Sequence, residues 1–164
     1  MSGLVALSLS IGVLGGVATW LSFGLLAGMV VIWAIFIAWG SYFHNGADSA
    51  ALKNTIVCGI FGAVMAGIAF AMIDLVPLGA TLTAPVWVAV TVFILVFASQ
   101  VPALSVVPTL VYGYAATVAY VMGVGGDTTA MDLSNPVVVI SLSIIVGTVF
   151  GLLSGKLSAK LTSD

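Results

Sequence analysis

Side chains able to do chemistry are few in this sequence. His44 is the single histidine, Cys58 is the single cysteine, and there is no glutamate or arginine. The acids are Asp48, Asp74, Asp127, Asp132 and Asp164. One histidine and one cysteine do not suffice for a protein-built metal centre. No Gly-x-Ser-x-Gly elbow, His-Glu-x-x-His pair or phosphate loop occurs either. Proteolysis inside a membrane needs a serine–histidine pair or paired aspartates within helices. Here His44 and Asp48 share one short polar turn, and the other acids fall at the ends of apolar runs. The residue types argue against an enzyme and imply neither metal nor cofactor. Cys58, inside an apolar run, reads as an inert buried thiol.

Hydrogen-bonding side chains gather at two interruptions of the apolar pattern. The first is Trp39-Gly40-Ser41-Tyr42-Phe43-His44-Asn45-Gly46. Tryptophan and tyrosine favour the membrane boundary, so one reading is an aromatic belt followed by a turn. The other is a pore mouth shaped by Trp39, Ser41, Tyr42 and Phe43, with His44 and Asn45 offering hydrogen bonds. The second interruption runs from Gln100 to Tyr112 and holds Pro102 and Pro108. Proline breaks or kinks a helix, and irregular backbone at membrane depth survives only where protein or water satisfies it. Broken helices often build transport sites, because half-helix ends aim partial charges at a solute. Gln100, Ser105, Thr109 and Tyr112 would supply the polar contacts. A proline-marked turn between ordinary helices is the plainer alternative.

The elements around these interruptions are apolar helices. Of 164 residues, 62% are hydrophobic and 5% charged, with a mean hydropathy of +1.35. A soluble domain carries roughly 25% charged residues, so this surface belongs in a bilayer. Three lysines cannot neutralise a nucleic-acid backbone, which excludes that partner. Spanning helices of about 20 residues are expected near 4–22, 24–43, 50–73, 84–99, 109–122 and 136–161. Asp48 or Ser49 is a candidate N-cap for the third helix, and Ser134 or Asn135 for the sixth. Pro85 suits the first turn of the fourth. The opening Met1-Ser2-Gly3 lacks the basic segment of a secretory signal peptide and reads as the start of a retained first helix. The fold expected is therefore all-α and polytopic, about six transmembrane helices with a broken or re-entrant segment near 100–110. It forms a single transmembrane domain over 1–164.

With both termini inside, Lys53, Lys156 and Lys160 fall on the cytoplasmic side and Asp74, Asp127 and Asp132 outside. This agrees with the positive-inside rule. No charge then lies at mid-membrane, where coupled transporters usually keep one. Asp74, at the end of the third helix, is the nearest exception.

Small residues recur every fourth position on three helices: Ser8, Gly12 and Gly16 on the first; Gly59, Ala63, Gly67 and Ala71 on the third; Ser143, Gly147, Gly151 and Gly155 on the sixth. Such stripes let helices approach closely in lipid, where hydrophobic drive between helices is weak. They suit packing within the protomer or an interface in a homo-oligomer.

The run from Trp39 to Lys53, continuing into the glycine-rich stretch Gly59 to Gly67, resembles a family of small bacterial inner-membrane proteins labelled domain of unknown function 1097. Val107-Pro108-Thr109 matches a later Val-Pro-x-Thr-like element of that family. The resemblance covers nearly the whole chain and implies a cell inner (cytoplasmic) membrane location with this helix count; it assigns no activity. The His44-Asn45-Gly46-Ala47-Asp48 stretch departs from the family pattern, in which no histidine is required. Proline-interrupted polar segments between apolar helices also resemble urea-transporter-like channels at the level of architecture. The function expected is a channel or facilitator for a small neutral solute of the urea, ammonia or short-amide kind. The rivals are a non-transporting accessory or structural subunit packing through its glycine stripes, and a coupled transporter using Asp74 or His44.

Overall fold

Long apolar stretches with few turn residues give helices, and a computed structural model describes residues 1–163 as six of them. These are α1 Gly3–Phe23, α2 Ile32–His44, α3 Ser49–Leu75, α4 Thr83–Phe97, α5 Val107–Gly123 and α6 Pro136–Ser163. Two short 3-10 turns, Ala98–Gln100 and Pro102–Leu104, lie between α4 and α5, and no strand occurs among the described residues. Asp164, the end of the single domain expected over 1–164, lies outside them.

Helix ends follow local chemistry. Asp48 caps α3, its carboxylate accepting the Ala51 N–H at 2.7 Å. Asn135 does the same for α6, accepting the Val137 N–H at 2.8 Å just before Pro136. The break expected after α4 is present: Val101 is extended, and Pro102 and Pro108 each open a new helical segment.

A second break was not expected. The reading of one helix over 24–43 is corrected, because α2 begins only at Ile32. Gly24 ends α1, the Leu26 N–H reaches back to the Leu21 carbonyl, and Gly28 adopts φ +80°, which a side chain would resist. The resulting α2 has 13 residues, about 20 Å of helix against a hydrocarbon core of about 30 Å. Four segments are long and apolar enough to cross a membrane: α1, α3, α4 with its 3-10 extension to Gln100, and α6. At 13 and 17 residues, α2 and α5 are shorter.

At the centre lie α3 and α6. Beside α3 pack α4 and α5, and beside α6 pack α1 and α2. Contacts fix the directions. A Cβ on Gly67 would meet Val137 and one on Gly59 would meet Ile144, so α3 and α6 run antiparallel. Ser143 bonds Val31, Gly147 faces Ile35 and Gly151 faces Tyr42, so α2 and α6 run parallel. The apolar core divides into three clusters. One lies around Leu110 and Tyr114, one around Ile35 and Trp39, and a central one around Ala38, Ala63, Ala116 and Ile144. Large apolar side chains, Leu4, Trp20, Phe23, Phe93 and Phe97 among them, point outward. Such a surface has a hydrocarbon solvent.

Candidate functional site

The site is assembled where the C-terminal end of α2, the second turn of α3 and the first turn of α5 meet. Pro108 costs α5 no hydrogen bond in its first turn, and this puts Thr109 at the start of the helix, facing inward. Asn45 follows α2 as its C-cap. It is held by a tight reversal: Gly46 and Ala47 both have positive φ, the Ala47 N–H bonds the Tyr42 carbonyl, and the Tyr42 hydroxyl donates to the Ala47 carbonyl at 2.7 Å. Non-glycine residues rarely adopt Ala47's φ of 58°, and the Tyr42 bond helps to hold it there.

Four polar side chains converge. The Asn45 Nδ2 donates to Thr55 Oγ1 and to Thr109 Oγ1, each at 3.0 Å, and lies 3.4 Å from Ser41 Oγ. Ser41 and Thr109 share a hydrogen bond at 3.0 Å. The three hydroxyl residues are buried and Asn45 is half-buried. None is ionisable, so the cluster offers hydrogen bonds without net charge. Beside it lies a central cavity of about 10 Å³, lined by Ser41, Thr55, Thr109 and the small residues Ala34, Ala38 and Gly113. That is the lower limit for holding one water, so the space beside the cluster takes no more than about one water. A larger groove of about 370 Å³ runs between α2 and α5 past Phe36, Gly40, Ala115 and His44. Ile37, Ser41 and Tyr112 line both spaces.

The two interruptions therefore face each other through Ser41, Asn45 and Thr109, with Tyr112 and His44 on the adjoining groove. Other candidate residues lie elsewhere. The Trp39 indole donates to Ser154 Oγ at 3.0 Å and packs between Phe36 and Phe150. Tyr42 serves the turn, and Phe43 stands edge-on to it. Gln100 and Ser105 are exposed in the break. Asp74 is exposed in the last turn of α3. Thr55 was not foreseen; a lone hydroxyl residue two positions past Lys53 gives little sign of facing inward.

Among the stripe residues, Gly59, Gly67, Gly147 and Gly151 meet a neighbouring helix, and Gly155 stands at van der Waals distance from Phe43. Gly12 and Gly16 face open space, and it is Gly15 that packs against Phe36. The tightest crossing was also missed: a Cβ on Gly62 would strike the Leu110 carbonyl, and one on Gly113 the Gly59 carbonyl.

Among the described residues, the carboxyls held away from their ordinary range lie in the 124–135 loop. Asp127 accepts from the Thr129 hydroxyl at 2.6 Å and from its N–H at 2.7 Å, and Asp132 accepts likewise from Ser134. Those bonds, the hydroxyl ones foremost, hold both carboxyls below the usual carboxylate range. Among the described residues no group of three or more histidine, cysteine or acidic side chains is placed to hold a metal ion.

A family model described as "Protein of unknown function (DUF1097)" matches residues 8–159, and the chain belongs to that family. No curated protein and no solved structure matches it.

Proposed function

We propose that this member of the DUF1097 family is a facilitator for a small neutral solute, of the urea, ammonia or short-amide type. In this reading it sits in the cell inner membrane with six crossings and both termini cytoplasmic, and it works as a homo-oligomer. The observation that carries the reading is the uncharged cluster of Ser41, Asn45, Thr55 and Thr109 beside the central cavity. In a chain so apolar, alanine or valine would fill those positions at lower desolvation cost. Hydroxyl donors and an amide in one place match the carbonyl and amine groups of a urea-like molecule. In this conformation the small-residue lining leaves space for about one water. The absence of ionisable side chains from the cluster favours neutral cargo over ions.

A second reading draws on α1. Ser8, Gly12 and Gly16 are exposed, and a Cβ on Gly12 or Gly16 would meet nothing within 4 Å. That face would suit a helix of another membrane protein, as an accessory subunit requires.

Stopped-flow light scattering on proteoliposomes separates the two. The facilitator reading expects permeability to at least one solute of a urea, acetamide and ammonia panel above that of empty liposomes. Permeability equal to empty liposomes across the panel, with a stoichiometric partner recovered from native membranes, supports the accessory reading instead.

A further inference from the structure

We infer that the chain is two copies of one three-helix unit, α1–α3 and α4–α6, running in opposite directions about a pseudo-two-fold axis through the central cavity, and that the solute crosses by exchange of the two units' conformations. The second half of this inference rests on the facilitator reading; the first half does not.

Paired contacts reveal the repeat. The Val31 N–H, just before α2, donates to Ser143 Oγ on α6 at 2.9 Å. Cys58, on α3, faces the break before α5, its thiol donating to the Ala103 carbonyl at 3.6 Å. Four residues on, Gly147 lies against the Ile35 carbonyl and Gly62 against the Leu110 carbonyl. One offset of 75 residues carries Val31 and Ile35 onto Val106 and Leu110, and one of 85 carries Cys58 and Gly62 onto Ser143 and Gly147. The flanking core clusters obey the same offsets: Ile35, Trp39 and Phe150 in one stand where Leu110, Tyr114 and Met65 stand in the other. Even the breaks correspond, since residues 24–31 precede α2 and 98–106 precede α5. Because α3 and α6 are equivalent yet antiparallel, the two units are inverted.

The axis passes through the candidate site. Ala34 and Thr109, Ala38 and Gly113, and Ser41 and Ala116 are equivalent pairs that line the central cavity. Ile37 pairs with Tyr112, and Gly40 with Ala115, in the groove outside it. Inverted repeats with interrupted helices in corresponding positions place the solute site at the repeat interface. The groove is not symmetric. It extends to His44, whose equivalent is Ala119, and Phe36 and Ser41 line it where Val111 and Ala116 are their images. Two units of one design holding different shapes define a second state, in which each takes the other's. In that state the groove extends toward Ala119 and closes at His44.

Reciprocal locking tests this in the full-length chain with Cys58→Ser. A reducible thiol crosslinker joins His44→Cys to Ala115→Cys in one variant, and joins the image pair, Ala119→Cys and Gly40→Cys, in another. Each variant carries a third reporter cysteine at the far end, Ala119→Cys in the first and His44→Cys in the second. Either lock is expected to stop urea-panel uptake reversibly, with reduction restoring it. Each lock is also expected to raise labelling of its reporter by a membrane-impermeant maleimide several-fold. Reporter labelling that neither lock changes overturns the exchange, whatever the uptake. Reciprocal labelling without uptake in the unlocked chain upholds the repeat exchange while removing the facilitator reading.

Discussion

Asn45 and Thr109, 64 residues apart, meet at 3.0 Å, the amide of one donating to the hydroxyl of the other. This contact joins the end of α2 to the start of α5, and it places the two polar interruptions of the sequence on one cavity. Thr109→Val keeps the shape and removes the hydroxyl. Asn45 and Ser41 each lose a partner, a loss of about 1–3 kcal/mol for a buried group left unsatisfied. The expected outcome is a lower melting temperature in detergent, together with a several-fold fall in solute permeability. Thr109→Ser, which keeps the hydroxyl, restores most of the permeability.

Close backbone approach makes a separate demand on glycine. Gly113→Ala drives a methyl into the Gly59 carbonyl, and Gly62→Ala drives one into the Leu110 carbonyl. Overpacking typically costs about 1–3 kcal/mol, and backbone has less room to yield than a side chain. Gly12→Ala meets nothing within 4 Å and should stabilise α1 by up to about 1 kcal/mol. Thermal unfolding of the three variants in one detergent checks the order.

Cys58 ties α3 to the break before α5, its thiol donating to the Ala103 carbonyl at 3.6 Å. At the equivalent place on α6, Ser143 accepts from the Val31 N–H before α2 at 2.9 Å. Cys58→Ser should therefore preserve assembly and melting temperature within a few degrees. Cys58→Val removes the donor to the Ala103 carbonyl and should lower the melting temperature more than Cys58→Ser does, as differential scanning fluorimetry would report.

The 124–135 loop carries the acid sensitivity. Asp127 and Asp132 have carboxyls lowered by their Thr129 and Ser134 bonds. A depressed folded-state pKa contributes stability that is present above the unfolded value and is lost as pH falls through the folded one. Stability of the loop should thus fall on acidification below the ordinary carboxylate range. Asp127→Asn with Asp132→Asn should flatten that acid limb. Hydrogen exchange of residues 124–135 between pH 6 and pH 3 measures both.

Much of this was legible because lipid imposes simple demands. Apolar runs near 20 residues long marked five of the six helices well, and Asp48 and Asn135 are N-cap residues of familiar type. Pro102 and Pro108 announced their break, since proline carries no N–H. The matching break at 24–31 carried no proline and no polar residue, only Gly24 and Gly28 in an apolar stretch, and hydropathy cannot see a helix end written in glycine alone. Ser41, Asn45 and Thr109 were conspicuous as polar residues flanking turns. Thr55 was not, because which side of α3 faces inward is decided by the glycine crossing at Gly62 and Gly113. Gly62 and Gly113 themselves lie off the every-fourth-residue stripes. The repeat, too, was hidden: it lives in contacts between positions 75 and 85 apart, where serine stands for cysteine and tyrosine for tryptophan.

The central claim is that a neutral solute passes through the Ser41–Asn45–Thr55–Thr109 cluster, and the most direct measurement is stopped-flow permeability of proteoliposomes holding the full chain or its Thr109→Val variant. The account predicts permeability to a urea-like solute above that of empty liposomes, reduced several-fold by the variant at equal protein content. Permeability equal to empty liposomes for every solute of the panel, or a wild-type rate that Thr109→Val leaves untouched, would contradict it.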